Sequence, residues 1–66
     1  MRINLRDLRV NEGLTQVQLA ELVEVSRQTI ISIESGRFTP SVLLALKLAR
    51  VFKISVEEIF LLESDD

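Results

Sequence analysis

Only three residues, Glu24-Val25-Ser26, separate two amphipathic segments of about two helical turns each, Gln16–Val23 and Arg27–Ser35. So short a connection leaves two helices little choice but a steep crossing. The packing demands of such a crossing can be checked position by position. The second helix passes close over the first, which requires a small residue at the contact, and Ala20 is placed there. The turn leaves a gap that an apolar side chain must fill, and Val25 fits it. Ile30 and Ile33 hold the second helix inward, and Leu19, Ala20 and Val23 do the same for the first, at helical spacing.

Similar punctuation divides the rest of the chain. Asn4 can cap a helix over Asn4–Glu12, in which Leu5, Leu8 and Arg9 share a face and which Gly13 ends. Thr15 and Ser26 are N-caps for the two central helices, and Gly36 closes the second. A fourth helix is predicted to begin at Thr39-Pro40, with Pro at the first helical position, and to continue through the apolar positions Val42, Ala45, Leu46, Ala49 and Val51-Phe52 to about Phe52. A fifth begins at Ser55, where Ser55-x-x-Glu58 predicts a capping box and Glu57 and Glu58 suit the first turn. It ends near Phe60–Leu61. The apolar ends Met1–Ile3 and Leu61–Glu63 either pack on the helices or pair as two short strands. With short loops throughout, the expectation is one all-α domain over residues 1–66.

At 66 residues the chain can build only one small core. It contains no Cys and no His. That removes disulfides, a thiolate nucleophile, a Cys or His metal site, a Ser-His-Asp triad and a near-neutral general base. No enzyme, cofactor or metal is therefore expected. The longest uninterrupted apolar stretch is Val42–Leu46, far short of the roughly 20 residues of a membrane span, and a cytoplasmic protein is expected. A small domain without a staple commonly relies on a partner, which favours self-association. The formal net charge is −2. Residues 1–50 carry seven basic and five acidic side chains, and residues 51–66 one basic and five acidic. Bulk charge alone will not hold this chain on nucleic acid, but a local basic face can.

The outward face of the second central helix reads Arg27, Gln28, Ile31 and Ser32, with Thr29 flanking. These side chains suit base edges: Arg pairs with guanine, Gln with adenine, Ser with either, and an apolar group meets a thymine methyl. A solvated polar face is the bland alternative. The whole pattern is more specific. Gly13-Leu14-Thr15-Gln16 through Leu19-Ala20, then Val25-Ser26-Arg27-Gln28-Thr29-Ile30, Ile33-Glu34-Ser35-Gly36, Pro40-Ser41, Ala45-Leu46 and Ile59-Phe60, resembles the phage repressor/Cro-type helix-turn-helix family over about residues 3–61. The resemblance is to small stand-alone members.

That resemblance implies a five-helix, lambda-repressor-like fold and a sequence-specific regulator of transcription, a homodimeric repressor on double-stranded DNA. It implies that Gln16 grips a phosphate and braces the reading helix. It implies that Arg27, Gln28 and Ser32 read bases, and that Thr29 and Arg37 touch phosphates. Arg9 and Glu34 match a partly buried salt bridge tying the first helix to the third. Dimers of the family point to Phe38, Thr39, Pro40, Ile54, Val56 and Glu57; the alternative for Phe38 and Val56 is that they finish the monomer core. Leu22, Leu43 and Leu44 look like apolar surplus beyond one small core and also favour self-association. The chain departs from the family pattern at three places. Glu24 stands where a Gly usually provides φ > 0, Ile31 where a polar residue is usual, and Lys53 where a Gly often ends the fourth helix. Ile31 reads a thymine methyl or is a tolerated exposed side chain. A different class, the same fold used as an adaptor or antitoxin-like partner, would suit the apolar surplus, but it has no need of the Arg27-Gln28-Thr29 face. No small-molecule pocket is expected at this size.

Overall fold

Three of the five helices begin where a hydroxyl takes up an otherwise unpaired amide. In the computed structural model, which describes residues 1–66, the helices are α1 (Leu5–Asn11), α2 (Gln16–Leu22), α3 (Arg27–Glu34), α4 (Val42–Phe52) and α5 (Val56–Ile59). Two-residue strands, β1 (Arg2–Ile3) and β2 (Phe60–Leu61), pair antiparallel, with Arg2 opposite Leu61 and Ile3 opposite Phe60. The hydroxyls of Thr15, Ser26 and Ser41 accept from the amides of Gln18, Thr29 and Leu44 at 3.0, 3.2 and 3.2 Å. At α2 the box is reciprocal, since the Thr15 amide donates to Gln18 Oε1 at 2.8 Å.

The first four helices also end alike. Leu14, Val25, Arg37 and Ile54 each donate their amide to the carbonyl five residues back, at 2.9–3.1 Å. This closure needs one left-handed residue. Glycine supplies it after α1 and α3, with Gly13 at φ 70° and Gly36 at φ 78°. After α2 and α4 it falls on Glu24 at φ 62° and Lys53 at φ 56°. The two side chains therefore stand in the glycine geometry, at a cost of roughly 1–2 kcal/mol each.

Thirteen buried residues make one core, to which every helix contributes. Leu19, Ala20 and Val23 of the α2 side meet Ile30 and Ile33 of α3, and Val25 packs in from the turn. Leu5, Leu48 and Ile59 are fully buried, so α1, α4 and α5 close over the α2–α3 pair. The ends are joined beyond the strands. The terminal ammonium of Met1 lies 2.8 Å from Asp66 and 3.2 Å from Glu63. Its bonds to Asp66, then to Glu63, raise its pKa, and the same ammonium lowers that of Asp66.

Several expectations are corrected. α4 does not start at Thr39-Pro40; Ser41 caps it, and Pro40 precedes the helix rather than opening it. Its inward face is Leu44, Ala45, Leu48, Ala49 and Phe52, whereas Val42 (77% exposed) and Leu46 (55%) point outward. Leu44 is therefore core, not surplus, while Leu22 and Leu43 are exposed. Ser55 makes no side-chain cap bond, because its own carbonyl already takes the Glu58 amide at 3.1 Å in this one-turn helix. Asn4 makes none either; its amide runs to the Ile59 carbonyl at 2.8 Å, extending the strand pairing.

Candidate nucleic-acid interface

The position of α3 is fixed by a polar brace at its C-terminal end. Arg9 Nε donates to Glu34 Oε2 at 2.7 Å and Nη2 to Oε1 at 3.3 Å. Nη1 donates to the Leu14 carbonyl at 2.9 Å, and the Gln16 amide nitrogen to Glu34 Oε1 at 3.2 Å. The Arg9 and Glu34 side chains are only 11% and 6% exposed. The Glu34 carboxylate thus ties α1 and the start of α2 to the end of α3, and Arg9 adds the α1–α2 loop through Leu14. Forked, charge-assisted bonds of this kind set orientation as well as distance. No buried side-chain donor or acceptor is left without a partner.

Held this way, α3 turns Ile30 and Ile33 into the core and presents the other side. Arg27 and Gln28 are exposed, while Thr29, Ile31 and Ser32 are partly buried. At 3.6 residues per turn, the presented residues divide between two flanks. On one flank Gln28, Thr29 and Ser32 border a niche of about 330 Å³ that also takes in Ser26, Arg37 and Phe38. Hydroxyls line it: Ser26 Oγ and Thr29 Oγ1 are 3.0 Å apart, and Gln28 Nε2 lies 3.4 Å from Ser32 Oγ. On the other flank Ile31 and Ser35 border an open cleft of about 720 Å³ that runs to α1 and includes Arg6, Val10 and Gln16.

The sequence-predicted reading residues are therefore gathered around one short helix, with Ile31 on the opposite flank from Ser32. Gln16 is engaged with Glu34 through one amide hydrogen, which leaves its second free. Sequence reading missed Ser26, noted only as a cap, and Arg6, not singled out at all. The spacing of Arg6 from Arg9, three residues on one helix, was the available signal. Of the predicted pairing residues Phe38, Thr39, Pro40, Ile54, Val56 and Glu57, the structure puts Ile54 and Val56 partly into the core, and Phe38 is 45% exposed.

Electrostatics single out the same region. A helix N-terminus favours anions. α1 and α5 accordingly carry acids in the first turn, whereas α2, α3 and α4 carry none, and of these only α3 opens on a cation, Arg27. Arg27 and Arg37 form no ion pair, unlike Arg9 with Glu34 and Lys47 with Glu24. Positive side chains and amide ends left uncompensated around one face are suited to an external polyanion. No helix is long and apolar enough to cross a membrane.

Comparison with known proteins agrees with this geometry. Residues 5–59 match the helix-turn-helix family HTH_3. An uncharacterized HTH-type transcriptional regulator of Methanocaldococcus jannaschii is 46% identical over 66 residues, covering 100% of both chains. Another, of Methanothermobacter thermautotrophicus, is 48% identical over 66 residues, covering 98% of this chain and 96% of its own. The crystal structure of the restriction-modification controller protein C.AhdI from Aeromonas hydrophila superposes with a TM-score of 0.77 at 38% identity, over 85% of each chain.

Proposed function

The chain belongs to the helix-turn-helix family HTH_3, whose members are DNA-binding regulators rather than enzymes, and from that membership we propose that it represses transcription as a homodimer on a near-palindromic operator. In this reading α3 lies in the major groove. Arg27, Gln28 and Ser32 contact base edges, with Ile31 against a thymine methyl. Gln16, Thr29 and Arg37 hold the backbone. The observation that carries the reading is the braced, acid-free face of α3 with Arg27 at its open end. An adaptor surface has no use for an unpaired arginine at a helix N-terminus with no acid in its first turn.

The dimer is proposed to form through Phe38, Thr39 and Pro40 together with Ile54, Val56 and Glu57. The exposed apolar side chains Val42, Leu43 and Leu46 of α4, a few residues on in the chain, are proposed to add to that surface. Contiguous exposed apolar area on so small a chain favours a self-complementary contact. Two reading helices would then stand about 34 Å apart, one turn of DNA. A binding selection from random duplex DNA at physiological salt tests the whole reading. A two-fold symmetric motif with half-sites about 10 base pairs apart is the expected result. A folded protein that enriches no motif would refute it and turn attention to a protein partner.

A further inference from the structure

The two flanks of α3 can be assigned to the two walls of a major groove. That groove is about 12 Å wide, and both its walls are phosphate backbones. A helix lying in it meets one wall on each side. On the flank of Gln28 and Ser32 the niche includes a cation from outside the α2–α3 unit, Arg37. The opposite flank, at Ile31 and Ser35, opens into the cleft toward α1. Two cations border that cleft, Arg6 and Arg9. Arg9 commits three of its five N–H groups to Glu34 and the Leu14 carbonyl, and its charge is paired with that of Glu34. Arg6 is exposed and takes part in none of the ion pairs or side-chain hydrogen bonds. Glu34 is the one carboxylate in the cleft, and Arg9 neutralises it, so the net charge there is that of Arg6.

We infer that Arg6 is the phosphate contact of this second flank, the counterpart of Arg37, so that the DNA is held at both walls of the groove by arginines outside the α2–α3 unit. The inference rests on the DNA-binding reading above and extends its footprint to α1. Asp7, next in sequence, is not among the residues bordering the cleft and does not oppose a phosphate there. The brace gives the contact its register. Arg6 lies one turn before Arg9 on α1, and Arg9 is bonded to the end of α3. The spacing between Arg6 and the reading side chains is thus set by a partly buried ion pair rather than by a loop.

The test is fluorescence anisotropy over a salt series, with a selected operator duplex and an unrelated duplex of equal length. The variants are Arg6→Ala, Arg6→Lys, Arg37→Ala, the Arg6→Ala/Arg37→Ala double and Arg50→Ala. Arg50 is an exposed residue of α4 that borders neither concavity and serves as the bulk-charge control. Arg6→Ala is expected to weaken binding to both duplexes alike, by roughly three- to tenfold, and to lower the log–log salt slope by about 0.9. The double variant should lower it by about 1.8. Arg6→Lys should restore the slope, and Arg50→Ala should leave it unchanged. A wild-type slope in Arg6→Ala, or an equal loss in Arg50→Ala, would overturn the assignment while leaving the DNA-binding reading intact. A wild-type protein that binds neither duplex would remove that reading, and this one with it.

Discussion

The first three helices and the fourth are built by different means. From Leu5 to Glu34, polar side chains state where each helix goes. Thr15 and Ser26 start helices, and Arg9, Gln16 and Glu34 lock three elements to each other. In α4 a hydroxyl, that of Ser41, also sets the start, but apart from the exposed Lys47–Glu24 pair no polar side chain fixes how the helix lies. Its sequence, VLLALKLARVF, is apolar on nearly every side, and only packing decides which side is inward. A charged pair names its own partner, because half-buried charges tolerate little else. An all-round apolar helix announces burial without announcing direction.

The sharpest way to break that comparison is to swap roles within α4. Leu48 is fully buried and Leu46 is 55% exposed, two residues away on the same helix. Leu48→Ala should cost about 2–5 kcal/mol by loss of transfer energy and by cavity formation. Leu46→Ala should cost less than about 0.5 kcal/mol in the monomer. Urea unfolding at low protein concentration measures both, and equal losses would mean the helix is rotated from the orientation described. At high concentration Leu46→Ala should also weaken self-association if α4 joins the dimer surface.

On the other side of the comparison, Glu34→Ala removes the shared acceptor of Arg9 and Gln16. It leaves a guanidinium only 11% exposed without its carboxylate. Breaking such a pair costs about 3 kcal/mol, less where the cation can reach water. For a domain of this size that should lower Tm by more than about 10 °C. An unchanged Tm would show that the brace orients α3 without stabilising it.

What was legible in the sequence follows the same division. Thr15, Ser26, Ala20, Val25, Ile30 and Ile33 all have chemistry that admits few placements, and the structure puts them where their spacing required. The start of α4 was misread because Pro40 looked like a first helical residue, whereas the capping hydroxyl is one residue further on, at Ser41. Val42 and Leu46 satisfy helical spacing as well as Leu44 and Leu48 do, so periodicity could not choose between them. Arg6 was overlooked for another reason. Its setting is made by α1 and α3 together, and α3 is twenty residues or more away in the chain. The fifth helix shows a limit of motif reading: Ser55-x-x-Glu58 has the right letters, but a single turn satisfies its amide from the backbone.

The reading face itself permits a smaller, cleaner break. Gln28 is exposed and bonded only weakly, to Ser32 at 3.4 Å, so it is free to exchange that bond for a base edge. Gln28→Ala should leave the melting curve in place, weaken operator binding by roughly 1–3 kcal/mol and relax base choice at one position per half-site. Retained affinity and retained base choice would remove Gln28 from the reading set.

The smallest expected effects compare the two left-handed side chains, Glu24 within the first region and Lys53 at the end of α4. Glycine relieves about 1–2 kcal/mol of left-handed strain but returns roughly 0.5–1 kcal/mol in backbone entropy. The remainder depends on charge. Lys53 follows a helix C-terminus, where a cation is favoured by about 0.3 kcal/mol or more, so Lys53→Gly should gain only a few tenths. Glu24 places an anion at the C-terminus of α2, which is unfavourable by a similar amount, although it forms an exposed ion pair with Lys47 at 3.2 Å. Such pairs contribute roughly 0.2–1 kcal/mol. Glu24→Gly should therefore gain about 0.5 kcal/mol when assayed in salt that screens the pair, and less in low salt, where Lys47 loses more. Urea midpoints at two ionic strengths separate these terms. A gain for Glu24→Gly that ignores salt would mean that the Glu24–Lys47 contact, the one ion pair linking the α2–α3 turn to α4, contributes nothing to holding the two regions together.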